Sequence, residues 1–162
     1  MRISWLKLLL FLVPALVGGL LLLLWLSPEK KILRRADAIF STIERGTLSL
    51  SGIEERVERF NGLVEPTFEI AGPDPIPAGP ITRAEAAGLL VEFHESVISC
   101  EVVRGEPSVA FPAKILARFE CPIDVRVNVG GGSPRTRRFR CQMEFRRSEE
   151  GWLLTRIAFI PV

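Results

Sequence analysis

The feature that most limits the fold is a period-two alternation in the last fifty residues. Over 113–129, Ile115, Ala117, Phe119, Cys121, Ile123, Val125 and Val127 share one parity. Lys114, Arg118, Glu120, Asp124, Arg126 and Asn128 share the other. Side chains of a strand alternate between its two faces, so this segment predicts a strand with one buried and one wet face. Gly130-Gly131-Gly132-Ser133 turns the chain. The next strand repeats the pattern, with Phe139, Cys141, Met143 and Phe145 inward and Arg138, Arg140, Gln142, Glu144 and Arg146 outward. A hairpin centred on Gly131 sets Phe119 against Met143, Cys121 against Cys141 and Ile123 against Phe139. On the outside it sets Arg118 against Glu144 and Asp124 against Arg138. Both faces come out chemically matched, and a slip of one residue would mix them. Pro122 has no N–H for the ladder and predicts a bulge or bend. Ser148–Gly151 turns again, and Trp152–Ile160 closes an antiparallel sheet.

Helices precede the sheet. Ser27-Pro28 reads as an N-cap and first helical position, followed by Ile32, Leu33, Ala36, Ile39, Phe40 and Ile43 at helical spacing. Gly46 ends this helix. Ser51 with Glu54, and Thr82 with Glu85, form capping boxes for two more helices. The last of these places Ala86, Leu89, Leu90, Phe93 and Val97 on its apolar face. Residues 63–70 form a short strand, the proline-rich stretch 72–80 a loop with Ile76 in a brief edge strand, and 97–103 another strand.

Residues Leu8 to Leu26 are 19 in number and carry no charge. As a helix they measure about 28 Å, close to the hydrocarbon thickness of a bilayer. Trp5 and Trp25 stand near its ends, where indoles favour the interface. The run exceeds the apolar core of a cleaved secretory signal, and no A-x-A site follows. Residues 1–26 are therefore expected to be a single-pass transmembrane anchor in the plasma (inner) membrane, and 27–162 a single α+β domain. Lys30, Lys31, Arg34 and Arg35 after the run favour a cytoplasmic domain by the positive-inside count. Arg2 and Lys7 before it give the layout of a bacterial signal anchor, with the domain outside. Both sides stay open.

The net charge of +2 comes from Arg2 and Lys7, so residues 27–162 are neutral. No global attraction to nucleic acid is expected. The halves are polarised, at −5 over 27–106 and +5 over 107–162. Arg118, Arg126, Arg138, Arg140 and Arg146 share the wet face, and two readings apply. They form a surface for an anionic partner or lipid headgroups, or they are balanced by Glu120, Asp124 and Glu144. Cys121 and Cys141 are expected neighbours, as a disulfide under oxidising conditions or as small core residues otherwise. No C-x-x-C spacing occurs, and neither metal nor cofactor is expected.

The order helix, helix, short strand, helix and long antiparallel strands, ending in Gly151-Trp152 and Ile157, resembles the nuclear transport factor 2-like superfamily over about residues 29–161. That resemblance includes the SnoaL-like polyketide cyclases. It implies a cone of three helices on a curved antiparallel sheet of four to six strands, the cystatin-like arrangement. The superfamily holds isomerases, dehydratases, cyclases, transport adaptors and membrane-anchored assembly factors of bacterial secretion systems. Its enzymes place acids, a Tyr or a His inside the cone. This chain has no Tyr and one His. The resemblance therefore implies His94 as the general base, with Glu65 and Glu69 beside the short strand as further candidates. A pocket would be lined by Phe93, Phe119, Cys121, Phe139, Cys141, Met143, Thr155 and Ile157. Such a lining is nearly all apolar and lacks convergent polar groups. The expected role is a non-enzymatic binding or assembly domain, with a protein partner or a homo-oligomer. The alternative is a small-molecule enzyme or a carrier of an apolar ligand.

Overall fold

The structure, a computed structural model, describes residues 27–46, 52–74, 76–130 and 133–162. Two compact units divide the chain, Met1–Lys31 and Ile32–Val162. The anchor expected over residues 8–26 lies outside the described residues. Of the first unit, residues 27–31 open a helix, and Ser27 Oγ accepts from Lys30 N at 3.3 Å, as an N-cap should.

The elements run α1 (Pro28–Ile43), α2 (Ile53–Asn61), β1 (Val64–Ala71), β2 (Gly79–Thr82), α3 (Arg83–Ser96), β3 (Ser99–Arg104), β4 (Ser108–Ala113), β5 (Leu116–Asn128), β6 (Arg135–Ser148) and β7 (Gly151–Pro161). Helix α3 carries the expected capping box: Thr82 Oγ1 accepts from Glu85 N, and Glu85 Oε2 accepts from Thr82 N at 2.9 Å. The other expected box involves Ser51. Gly52, at φ 112°, is the N-cap of α2 and offers no side-chain bond, while Ser51 lies outside the described residues. On α3 the buried face is Ala86, Ala87, Leu90 and His94, and Leu89 points to solvent.

All seven strands join one sheet in the order β2-β1-β7-β6-β5-β3, with β4 also on β5. The β5–β6 register is the expected one. Phe119 faces Met143, Cys121 faces Cys141, and Ile123 faces Phe139. Several expectations need correction. The sheet is mixed, because β1 runs parallel to β7. Burial alternation records which face a residue takes and carries no strand direction, so it could not show this. The extended segment also begins later than expected. Lys114 and Ile115 form a turn between β5 and the unforeseen strand β4, which leaves Ile115 56% exposed. The edge strand after the prolines is Gly79–Thr82 and does not include Ile76.

Pro122 makes no bulge against β6, where pairing continues unbroken through Arg140. Its carbonyl instead accepts from Gly105 N at 2.8 Å, on the opposite edge. A residue's N–H and C=O point to the same side of a strand, so the missing donor faces the gap where β3 ends and β4 begins. The β3–β4 connection fits closely there, since a Cβ on Gly105 would lie 2.7 Å from Pro122 Cγ. The β6–β7 ladder has its irregularity in β7. Glu144 faces Arg156 and Phe145 faces Leu154, which leaves Thr155 as the extra residue. Its hydroxyl donates to Glu144 O at 3.1 Å. This bulge reverses the parity of β7, so Trp152 and Leu154 enter the core ahead of it and Ile157 after it.

The helices cover the apolar face. Phe40 of α1 meets Phe119 with ring centroids 6.2 Å apart, and Phe60 of α2 meets Phe68 at 6.1 Å. Arg104 fastens the edge of β3 to α1. Its guanidinium lies 5.2 Å from the Phe40 centroid and pairs with Glu44 at 2.9 Å and Asp37 at 3.4 Å.

Candidate functional site

The residues expected to line a pocket form the core instead. Phe119, Cys121, Phe139, Cys141, Met143 and Ile157 are buried in one cluster with Phe40 and Phe145. Phe93 and Thr155 are half-buried, and the Thr155 hydroxyl is committed to the bulge. Open hollows lie elsewhere on the domain. One, of about 400 Å3, lies between Arg35, Arg59 and Leu63. Another, of about 420 Å3, lies between Ile70, Pro80, Leu89 and Glu92. None of the expected lining residues borders either.

His94 is 1% exposed, and its Nε2 lies 2.7 Å from the Thr42 carbonyl, tying α3 to the end of α1. Glu65 and Glu69 lie on the opposite face of the sheet, paired with Arg146 at 3.6 Å and Arg156 at 3.7 Å. The three candidates for acid–base chemistry are therefore not brought together.

Burial holds the His94 pKa below its ordinary 6.5. The Thr42 carbonyl opposes this, and the Arg56 and Arg45 charges add to the lowering. The folded protein thus prefers neutral His94, and the unfolded chain binds the proton first. Stability contributed by this residue is complete above the ordinary His pKa, and is lost as pH falls from there through the lowered folded value. We expect His94→Gln, whose amide can still donate to Thr42, to lose less stability than the wild type between pH 7.5 and pH 5 in urea titrations. Parallel curves for the two proteins would remove His94 as the source.

The outer face of the sheet carries the expected arginines, each beside a carboxylate. Arg138 makes a two-pronged contact with Asp124 at 2.8 and 3.3 Å. Arg118 meets Glu144 at 3.2 Å, Arg140 meets Glu120 at 3.4 Å, and Arg126 meets Glu101 at 3.4 Å. Hydrogen bonding from Arg138 holds the Asp124 carboxyl below its usual range. Of the two readings of this strip, the balanced one describes the geometry. Cross-strand neighbours already supply the anions, so an anionic partner would have to displace them. Exposed pairs of this kind contribute about 0–1 kcal/mol each.

Cys100, Cys121 and Cys141 are free and buried. Burial, aided by Glu44, pushes the Cys100 thiol up to about 11, and burial also raises Cys121 and Cys141. All three are thiols at neutral pH, whereas the thiolate is the reactive form.

Arg104, strand β4 and an exposed apolar tip at the β4–β5 turn have no counterpart among the features the sequence predicts. Phe111, Ile115 and Leu116 of that tip are all substantially exposed. The signal available was the run Phe111-Pro112-Ala113-Lys114-Ile115-Leu116, with one charge in six residues.

No protein-family model matches the chain, and no curated protein matches it. Solved structures do. An NTF2-like protein with a cystatin-like fold from Novosphingobium aromaticivorans is 18% identical with TM-score 0.58, over 83% of this chain and 86% of that one. An NTF2-like protein from Streptomyces avermitilis, described as a candidate dehydratase, is 17% identical with TM-score 0.64, over 84% and 99%. The CaMKII hub of S. rosetta is 13% identical with TM-score 0.66, over 84% and 98%. The domain therefore has the NTF2-like, cystatin-like α+β fold, with three helices on a mixed sheet. At these identities the likeness is one of fold, and activity has to be argued from the residues themselves.

Proposed function

We propose that this chain is a membrane-tethered NTF2-like domain that works by binding a protein or a second copy of itself, not by catalysis. The observation that carries this is the filled interior. The positions that would line a catalytic cone are packed apolar core, and His94, Glu65 and Glu69 are each engaged elsewhere. The tether is argued from the 19 uncharged residues of 8–26. Self-association is consistent with a hub among the fold neighbours. The enzyme reading draws on the candidate dehydratase among them, and His94, Glu65 and Glu69 do not converge on one site among the described residues.

Membranes containing the full chain should retain it after alkaline carbonate washing, and release it when residues 1–26 are deleted. Crosslinking in those membranes, followed by mass spectrometry, should return one reproducible partner or a homo-oligomer. A chain that stays solitary at working concentrations would defeat the assembly reading, and carbonate extraction of the full chain would defeat the tether.

A further inference from the structure

We infer that the β4–β5 tip, Phe111 to Leu116, is a finger that inserts into the surface of the bilayer. This rests on the tether proposed above. The first observation is the tip itself. It is a two-residue turn, Lys114-Ile115, closed by the pair Ala113 and Leu116. Phe111 is 42% exposed and Ile115 56%, and Pro112 and Ala113 are exposed as well. Apolar side chains gathered at a tip, with one lysine able to reach back to the headgroups, suit the boundary between headgroups and acyl chains.

The second observation is where the tip lies within the unit Ile32–Val162. Arg147 N donates to Ile115 O at 2.8 Å, and Ser148 faces Gly151, so the tip adjoins the β6–β7 turn. Arg35 reaches that same end. It donates to Gly62 O at 3.1 Å, and a Cβ on Gly151 would lie 3.1 Å from its Nη2. Helix α1 then runs to the opposite end of the sheet, where the backbone of Arg45 pairs with Cys100, the partner of Val127. The chain therefore enters this unit at the end that carries the tip. A span ending at Leu26 leaves five residues before Ile32, a reach of at most about 18 Å.

A protein strand added to β4 is the competing occupant. Pro112 supplies no N–H, and the β4–β5 ladder breaks register between Ala110 and Ala113, which makes this edge a poor template. The β6–β7 turn that adjoins the tip carries Glu149 and Glu150, which offset Lys114 and Arg147 in charge, so attraction to anionic lipid is not the main force. Contact should persist in neutral lipid and at high salt.

The test uses the full chain, reconstituted in phosphatidylcholine vesicles that contain nitroxide-labelled lipid. Ile115→Cys carries an environment-sensitive fluorophore, as does Val129→Cys at the far end of β5, about 40 Å away. The native cysteines are buried and should not react. Lys114→Cys replaces Ile115→Cys if the latter fails to fold. Several-fold stronger quenching by lipid at the tip than at residue 129 is the expected result. Equal quenching at both, or a tip label reached freely by aqueous iodide, overturns the finger while leaving the tether intact. A tip shielded from both quenchers points to a protein contact and also overturns it. Loss of the full chain on carbonate washing removes the tether, and the finger with it.

Discussion

Met143→Asp should leave the domain unfolded in water, while Gln142→Asp one residue away should leave it folded. Met143 is fully buried on β6 between Phe119 and Ile157. Truncating its side chain costs about 2–5 kcal/mol in packing. A carboxyl group left there without partners adds about 1–3 kcal/mol or more. The sum is comparable with the roughly 5–15 kcal/mol that holds a domain of this size together. Gln142 points the other way and gives up a bond to Glu120 at 3.2 Å. At that half-buried site on the wet face, losing the bond and adding a like charge should cost about 1 kcal/mol, far less than at Met143. Far-UV circular dichroism with urea unfolding separates the outcomes. Two variants of equal stability would mean that the odd and even positions of β6 are not sorted between core and solvent.

The second large effect is expected at the contact between helix and sheet. Phe40 is fully buried, meets Phe119 and lies under the Arg104 guanidinium. Phe40→Ala should cost about 3–5 kcal/mol, because the cavity sits between two rigid layers that cannot easily close on it. For a domain of this length that corresponds to a fall in Tm of about 10–20 °C. The bond of Arg104 to Glu44 would persist but would hold a loosened helix. A fall of only a few degrees would show that α1 contributes little to the core, and would undercut its use as the element that brings the chain to one end of the sheet.

The site is less legible in the sequence than the fold, and His94 shows why. A lone histidine on an apolar helix face fits a catalytic role and a structural one equally well in sequence. The choice depends on the Thr42 carbonyl, which lies 2.7 Å away and 52 residues earlier. Thr155 is a similar case. Counting by twos puts it inside with Ile157, but a single extra residue in β7 changes the parity of everything before it.

The hairpin of β5 and β6, its register, and the cross-strand pairs Arg118–Glu144 and Arg138–Asp124 were already legible in the order of residues. These rest on alternation and a short turn, both local properties. The Thr82–Glu85 cap, which spans one helical turn, was legible there too. Long-range packing alone set β1 parallel to β7, placed β3 and β4 along one edge of β5 at Pro122, and buried Phe119, Cys141 and Met143 together with Phe40 of α1. Each of these depends on partners far apart in the chain, or on how volumes add up, and neither leaves a periodic trace in the order of residues.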